Sequence, residues 1–336
     1  VVKISDVALR AGVSPGAVSR VLTGDPTLRV TDETRQKVLV AARELFYVPN
    51  HSARSLRTSR TRTIALVVPD VTSAVFAELA RGAEHEAALR GLAIVLGRAE
   101  QLEDDSEWLR RLVAEARIDG VILQLPDGTP ASSLDYFAEQ NTPTVLINSM
   151  NAGPLNTIVL DDAAGIRVAV DHLRSLGHRD IGFVGSTAGS ATGARREAGF
   201  RAAMVKGELP IDEVWMTDLG YSGENGRAAV GELMSRGRLP TALVVANLNA
   251  ALGVLAELHQ RDLRVPADVS IVAIHDVWYA DSIWPPVTTV RMPLSTLGAA
   301  GVSRLLDSGT KVSHSIISSP APELIVRQST TEYAHR

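Results

Sequence analysis

The stretch Ser5–Gly24, SDVALRAGVSPGAVSRVLTG, reads as two short helices with a tight turn between them. Val7, Ala8 and Ala11 fall at helical spacing, and Gly12 supplies the left-handed residue at which helices stop. A second helix begins almost at once. Ser14 is a natural N-cap, Pro15 suits the first helical position, and Gly24 closes the segment. Two short helices joined by a glycine-containing turn are the pattern of a helix-turn-helix. A third helix follows in TDETRQKVLVAARELF, where Val38, Ala41, Ala42 and Leu45 share the face that covers the first two. Arg20, Arg35, Lys37 and a basic run after Asn50 set this head apart from a plain three-helix bundle.

The charge distribution agrees with that reading. The 336 residues carry a formal net charge of −4, which taken whole argues against nucleic acid. Residues 1–62, however, hold 11 basic and 5 acidic side chains, a net of +6, and the remainder holds 23 and 33, a net of −10. A basic head on an acidic body is what one domain meeting phosphates and another avoiding them produces. The length predicts more than one domain. Apolar residues make up 45% of the chain but come in short runs, well below the ~18 to 20 consecutive apolar residues of a membrane span. The first residues, VVKISDVALRAGVS, have neither the basic front nor the apolar block of a signal peptide, so a cytoplasmic protein away from membranes is expected. Cysteine is absent, which removes disulfides, a thiol nucleophile and cysteine metal sites.

From Thr63 onward the texture becomes a repeat of apolar β-type run, loop and amphipathic helix. TIALVVPD, LAIVLGRA, DGVILQL, TPTVLINS, NTIVLDD, RDIGFVGS, TALVVANL and VSIVAIHD read as strands, with helical stretches such as AAGIRVAVDHLRSLG and LNAALGVLAELHQR between them. Such alternation predicts parallel sheets covered on both faces, an α/β fold. RTIALVVPD and HRDIGFVGS each open a series of these units. Two similar lobes are therefore expected, at about 63–159 and 160–290, with the last forty-odd residues crossing between them. The predicted organisation is a head at 1–48, a hinge and linker at 49–62, and a two-lobed core at 63–336.

The residues ISDVALRAGVSPGAVSRVLTGDPTLRVTDETRQKVLVAARELFYVPNHSARSLRTSRT resemble the DNA-binding module of the lactose-repressor (LacI) family of bacterial transcription regulators. The body resembles that family's periplasmic-binding-protein-like core in DGVIL, DHLRSLGHRDIGFVG, RREAGFRAAM, PTALVVAN and PPVTTVRMPLSTLG. The resemblance covers nearly the whole chain. It implies a homodimeric repressor that binds palindromic operator DNA and changes its affinity when a small molecule binds between the core lobes. No cofactor is implied. A solute receptor or a sugar-acting enzyme built on the same core is disfavoured by the basic head and by the lack of a catalytic set: there is no GxGxxG spacing or P-loop, and the eight histidines never fall at metal-ligand spacing.

The physics of the head agrees. A recognition helix starting at Ser14 enters the major groove N-terminus first, presenting Pro15, Gly16 and Ala17 early and Arg20 a turn later. Pro15 and Gly16 offer shape rather than side-chain hydrogen bonds, whereas Arg20 can fork onto a guanine edge or hold a phosphate. Ser14, Ser19, Thr31 and Arg35 are candidates for phosphate positioning. The hinge segment that includes Asn50, Ala53, Arg54, Leu56 and Arg57 is too short and polar for a stable free helix, so ordering on DNA is expected. Its one large apolar side chain, Leu56, reads as a minor-groove wedge flanked by the phosphate-neutralising Arg54 and Arg57. The resemblance implies that two such leucines from a dimer enter one central base step.

In the body, polar residues gather at the carboxyl ends of the predicted strands, where open parallel sheets bind ligands. Ser73 and Phe76 follow the first strand, Arg98 ends the second, Asn148 ends TVLIN and Asp161 ends TIVLD. Thr192 and Arg196 follow IGFVGS, Asn247 ends ALVVAN and His275 ends VSIVAIH. The resemblance implies that Arg196 and Asn247 contact the effector and that Tyr221 stacks on a sugar. Three departures from the family pattern stand out: His275 and Asn148 occupy places where aspartate is common, and Leu248 replaces the aspartate of AND. With Arg98, Arg196 and a protonated His275 as cations, the expected ligand is a sugar phosphate or sugar acid; the alternative is a neutral sugar held by Asn247, Arg196 and Tyr221. Asp161, Asp162 and Asp276 stand against the anion, and the C-terminal STTEYAHR has no leucine heptads to build a tetramer.

Overall fold

A computed structural model describes residues 2–47, 60–99, 107–126, 129, 134, 142–149, 155–185, 187, 189–307 and 312–334. The chain divides into two compact units, Val1–Thr61 and Arg62–Arg336. In the first, α1 (Ile4–Ala11), α2 (Pro15–Leu22) and α3 (Asp32–Glu44) close around Val7, Val18 and Val38, all fully buried. The turn between α1 and α2 depends on Gly12, whose φ of 69° suits a residue without Cβ. Ser14 caps α2, its Oγ accepting from the Ala17 amide at 3.2 Å, and Thr31 caps α3 through the Thr34 amide at 3.2 Å.

The second unit holds two six-stranded sheets. One runs in the order β11-β5-β4-β3-β1-β2 and is wholly parallel, with β1 Thr63–Val68, β2 Ala93–Arg98, β3 Val121–Leu123, β4 Thr144–Ile147, β5 Asn156–Leu160 and β11 His314–Ile317. The other runs β12-β10-β9-β8-β6-β7, with β6 Ile181–Val184, β7 Met216–Thr217, β8 Ala242–Val245, β9 Ser270–Ile274, β10 Thr288–Arg291 and an antiparallel edge strand, β12 Glu323–Ile325. The central strands are buried on both faces, which is why they read as unbroken apolar runs. The helices of this unit are α4 (Ala74–Leu89), α5 (Glu107–Ala114), α6 (Asp162–Ser175), α7 (Ala191–Lys206), α8 (Gly223–Arg236), α9 (Leu248–Gln260) and α10 (Leu294–Leu306).

The chain crosses between the lobes three times: after β5, between β10 and α10, and between β11 and β12. α10 returns to the first lobe and packs on α4 so closely that a Cβ at Gly82 would collide with the Ser295 carbonyl, and one at Gly298 with that of Leu79. Among the described residues no helix is long and apolar enough to cross a membrane.

The C-terminal residues are sewn to the second lobe through histidines. His178 contacts Thr241 Oγ1 at 3.0 Å, Ser270 Oγ at 3.1 Å and the Thr331 carbonyl at 3.1 Å, and His172 contacts Thr330 Oγ1 at 3.1 Å. Burial pushes both imidazoles below their usual range; at His172 the neighbouring His178 adds to this, and at His178 the Thr331 carbonyl partly opposes it. A histidine with a depressed folded pKa contributes its full stability above the unfolded value of ~6.5 and loses it as pH falls from there toward the folded value. The thermal midpoint of the core is therefore expected to fall between pH 7 and pH 5, and less steeply in His178→Asn. Equal midpoints for the parent at the two pH values would contradict this.

Candidate functional site

On the head, α2 presents Pro15, Gly16 and Ala17 in its first turn and Arg20 one turn on. Arg20 is not a free fork. Its Nε donates to Asp25 Oδ2 at 2.8 Å and its Nη2 to Thr27 Oγ1 at 2.9 Å. Asp25 also accepts from the Thr27 hydroxyl and amide, at 2.7 and 2.8 Å, and its carboxyl is held down to about 2 by the Thr27 hydroxyl and Arg20. Asp25 and Thr27 lie in GDPT just after α2, and their partnership with Arg20 was not legible as a pattern. The hydroxyls of Ser14 and Thr31 are engaged as helix caps, and Thr31 Oγ1 also shares a hydrogen bond with Thr34 Oγ1 at 2.9 Å, so the Ser14 proton is the one left for an outside acceptor. Asn50, Ala53, Arg54, Leu56 and Arg57 lie outside the described residues.

The carboxyl edges of the two core sheets face a cavity of about 580 Å³, a volume in the range of small-molecule clefts. In each sheet it opens beside the strand at which the order reverses, β1 in one and β6 in the other. Ser73, Phe76, Asn148, Thr192, Arg196, Tyr221, Asn247 and His275 line it, as expected from sequence, and so do Asp70, Gln124, Ser149 and Asn249. Gln124 follows β3 and Ser149 follows β4, so the rule that found Asn148 and Asn247 extends to them. Asn148 and His275 take positive φ values of 51° and 72° at their strand ends. Such backbone is uncommon outside glycine, though Asn and His tolerate it better than most.

Two bridges span the cleft. The Asn148 carbonyl at the end of β4 accepts from Thr192 Oγ1 at 2.8 Å and Arg195 Nη2 at 3.3 Å, both on α7. On the other side Asn249 Nδ2 donates to Ser73 Oγ at 3.0 Å, while the Tyr279 hydroxyl donates to Asn249 Oδ1.

Beneath the cavity lies a buried charge cluster. Asp162 accepts from Arg195 Nε and Arg196 Nε, both at 2.9 Å. Arg196 spends its other edges on the Ala246 carbonyl at 2.6 Å and His275 Nε2 at 2.8 Å. A guanidinium cannot accept, so His275 Nε2 does, and the imidazole is neutral with its proton on Nδ1. Burial and then the Arg196 charge push its pKa well below the usual range.

Several expectations are corrected here. His275 is not a cation near neutral pH, and Arg196 has no free fork for an anion, because the two groups bond each other and Arg196 is also held by Asp162 and the Ala246 carbonyl. Arg98 is exposed at the end of the edge strand β2, outside the cavity lining. Asp161 caps α6, accepting from the Ala164 amide at 2.9 Å, and does not line the cavity. Asp276 is taken up by Thr289, Arg291 and Arg327, and Leu248 is fully buried in the apolar core.

A helix-turn-helix head joined to two α/β lobes with a ligand-sized cleft between them defines a ligand-responsive DNA-binding regulator. Residues 3–50 match the model described as "Bacterial regulatory proteins, lacI family", and residues 170–330 match a periplasmic binding protein-like domain. The chain is 34% identical over 337 residues to the HTH-type transcriptional regulator DegA of Bacillus subtilis (strain 168), covering 98% of each chain. It superposes on the lac repressor dimer bound to operator and the anti-inducer ONPF with a TM-score of 0.80 and 26% identity, covering 98% of this chain and 99% of that one. The transcriptional regulator CelR in its cellobiose complex gives 0.71 and 27%, covering 98% of this chain and 100% of that one. The chain belongs to the lacI family of bacterial regulatory proteins. It is a DNA-binding transcriptional repressor with a ligand-binding core, not an enzyme.

Proposed function

We propose that a homodimer of this chain reads a palindromic operator and that a small carbohydrate-type effector in the inter-lobe cleft changes its operator affinity. In this reading Pro15, Gly16, Ala17 and Arg20 meet base edges, Ser14, Ser19, Thr31 and Arg35 meet phosphates, and Asn50, Ala53, Arg54, Leu56 and Arg57 act at the centre of the site. Two-fold symmetry doubles the few base pairs that one short helix can read. The observation that carries the effector half is the pair of bridges across the cavity, at Asn148 with Thr192 and Arg195, and at Ser73 with Asn249. A ligand that contacts both walls biases the balance between lobe arrangements, and by linkage alters whatever property depends on it. CelR, a relative over the whole chain, has been solved with a disaccharide, which supports the carbohydrate class.

Anisotropy titrations of a labelled palindrome, selected from random duplexes and repeated over a salt series, test the reading. Binding that steepens as salt falls and shifts on adding a sugar-type ligand is expected; binding indifferent to sequence would overturn it. Arg20→Ala is expected to relax preference at one symmetric pair of positions, at a cost of ~1 to 3 kcal/mol each. Asp25→Asn should produce part of the same relaxation, since Asp25 holds the Arg20 Nε. A uniform loss on all sequences with a shallower salt slope would instead put Arg20 on a phosphate.

A further inference from the structure

We propose, resting on the assignment of the cleft as the effector site, that the effector is a monoanionic polyhydroxy acid whose carboxylate accepts a hydrogen bond from His275 Nδ1. The first ground is the direction of the hydrogen bonds. Arg196 Nη2 lies 2.8 Å from His275 Nε2, so the single ring proton is on Nδ1. His275 is 3% exposed, lines the cavity, and its Nδ1 has no partner. A buried donor left unpaired is unfavourable by ~1 to 3 kcal/mol, which an acceptor on a ligand removes.

The same wall is rich in donors. Asn247 spends its Oδ1 on the Ala250 amide at 2.8 Å, leaving its amide NH2 for the cavity. The Tyr221 hydroxyl is buried without a partner, and its ring centroid lies 5.6 Å from the Arg196 guanidinium carbon. A sugar hydroxyl accepts from such groups but also brings a proton that needs an acceptor. A carboxylate brings acceptors only, which is what this wall lacks.

Charge selects among acceptors. Arg195 and Arg196 share one carboxylate, Asp162, and Arg195 Nη1 is buried without a partner. With His275 neutral, Arg195, Arg196 and Asp162 together carry one positive charge in excess. A carboxylate balances it, whereas a phosphate monoester brings about −1.5 to −2 and leaves charge uncompensated in a site sheltered from water. Among the described residues, the acidic side chain in the lining is Asp70, which belongs to the first lobe. Its Oδ1 is taken by the Thr72 amide and hydroxyl, and Oδ2 remains for the hydroxyls of a polyhydroxy chain.

The test is calorimetry of the full chain with matched sets in the gluco, galacto and manno series: neutral hexose, uronate, aldonate and hexose 6-phosphate, at pH 6 and pH 8. An acid from this panel is expected to bind at least tenfold tighter than its neutral and phosphorylated counterparts, equally at both pH values. His275→Asp, which replaces the donor by an acceptor, should weaken the acid at least tenfold and strengthen the neutral counterpart. His275→Asn keeps a donor in place of Nδ1 and should retain the preference. Melting curves establish that each variant folds, and if His275→Asp does not, His275→Asn and the pH comparison decide. Acid binding that fades between pH 6 and pH 8 would show a cationic imidazole and overturn the proposal, as would acid affinity indifferent to His275→Asp. Preference for neutral or phosphorylated sugars would overturn it while leaving the cleft as the effector site; no binding by any probe would overturn both.

Discussion

Asp162→Ala is expected to destabilise the core by ~3 to 5 kcal/mol, the range seen when one partner of a buried ion pair is removed. The Asp162 side chain is fully buried and the Arg196 side chain is only 4% exposed, so without the carboxylate the guanidinium stays out of water and loses the charge it is paired with. The loss should exceed that of Arg195→Ala, because Arg195 is 21% exposed and its removal leaves the Asp162–Arg196 pair intact. Asp162→Asn, which keeps an oxygen acceptor, should fall between the two. Urea unfolding, followed on a signal from the core alone because head and core need not unfold together, measures all three. A loss below ~1 kcal/mol for Asp162→Ala would show that Arg196 finds other compensation.

Leu56→Ala is expected to weaken operator binding by a few kcal/mol, on the order of a hundredfold, while leaving the stability of the core unchanged. If two leucines wedge one base step in the dimer, each variant complex loses both, and the cost of unstacking is no longer offset by the contacts that a bent duplex permits. Leu56→Met, which keeps apolar bulk, should retain most of the affinity. Anisotropy against the selected palindrome, with a phase-sensitive bending assay alongside, reads both effects. Equal affinity and equal bending in parent and Leu56→Ala would return this leucine to the role of a linker residue.

Much of the architecture was legible because it rests on local rules. Gly12, Ser14 and Pro15 mark helix ends by chemistry confined to a few residues, and the structure ends α1 and begins α2 at them. The apolar runs from TIALVV to VSIVAI were readable as strands by their texture, and the carboxyl-end rule picked out several of the polar groups that line the cavity, among them Ser73, Asn148, Asn247 and His275. The chemistry inside the cavity was not legible in the same way. Sequence marks Arg196 and His275 as groups able to carry positive charge, but whether the imidazole does, and whether the guanidinium has an edge left for a ligand, depends on what lies within 3 Å. That neighbour proved to be each other, with Asp162 closing the cluster from a helix 34 positions earlier in the chain.

A helix-turn-helix head and a core of two α/β lobes follow from capping, periodicity and alternation, which act over a few residues and survive in one dimension. Which of the candidate side chains are already engaged, and which reach the cleft at all, was settled by contacts between distant parts of the chain. Arg98 lies at an edge strand, Asp161 is used as a cap, Leu248 belongs to the core, and Arg20 is held by Asp25 and Thr27. The physical reason is that a buried group's proton and charge are set by its contacts at hydrogen-bond range and by its distance from water, and those contacts join residues that the chain keeps far apart: 79 positions separate Arg196 from His275.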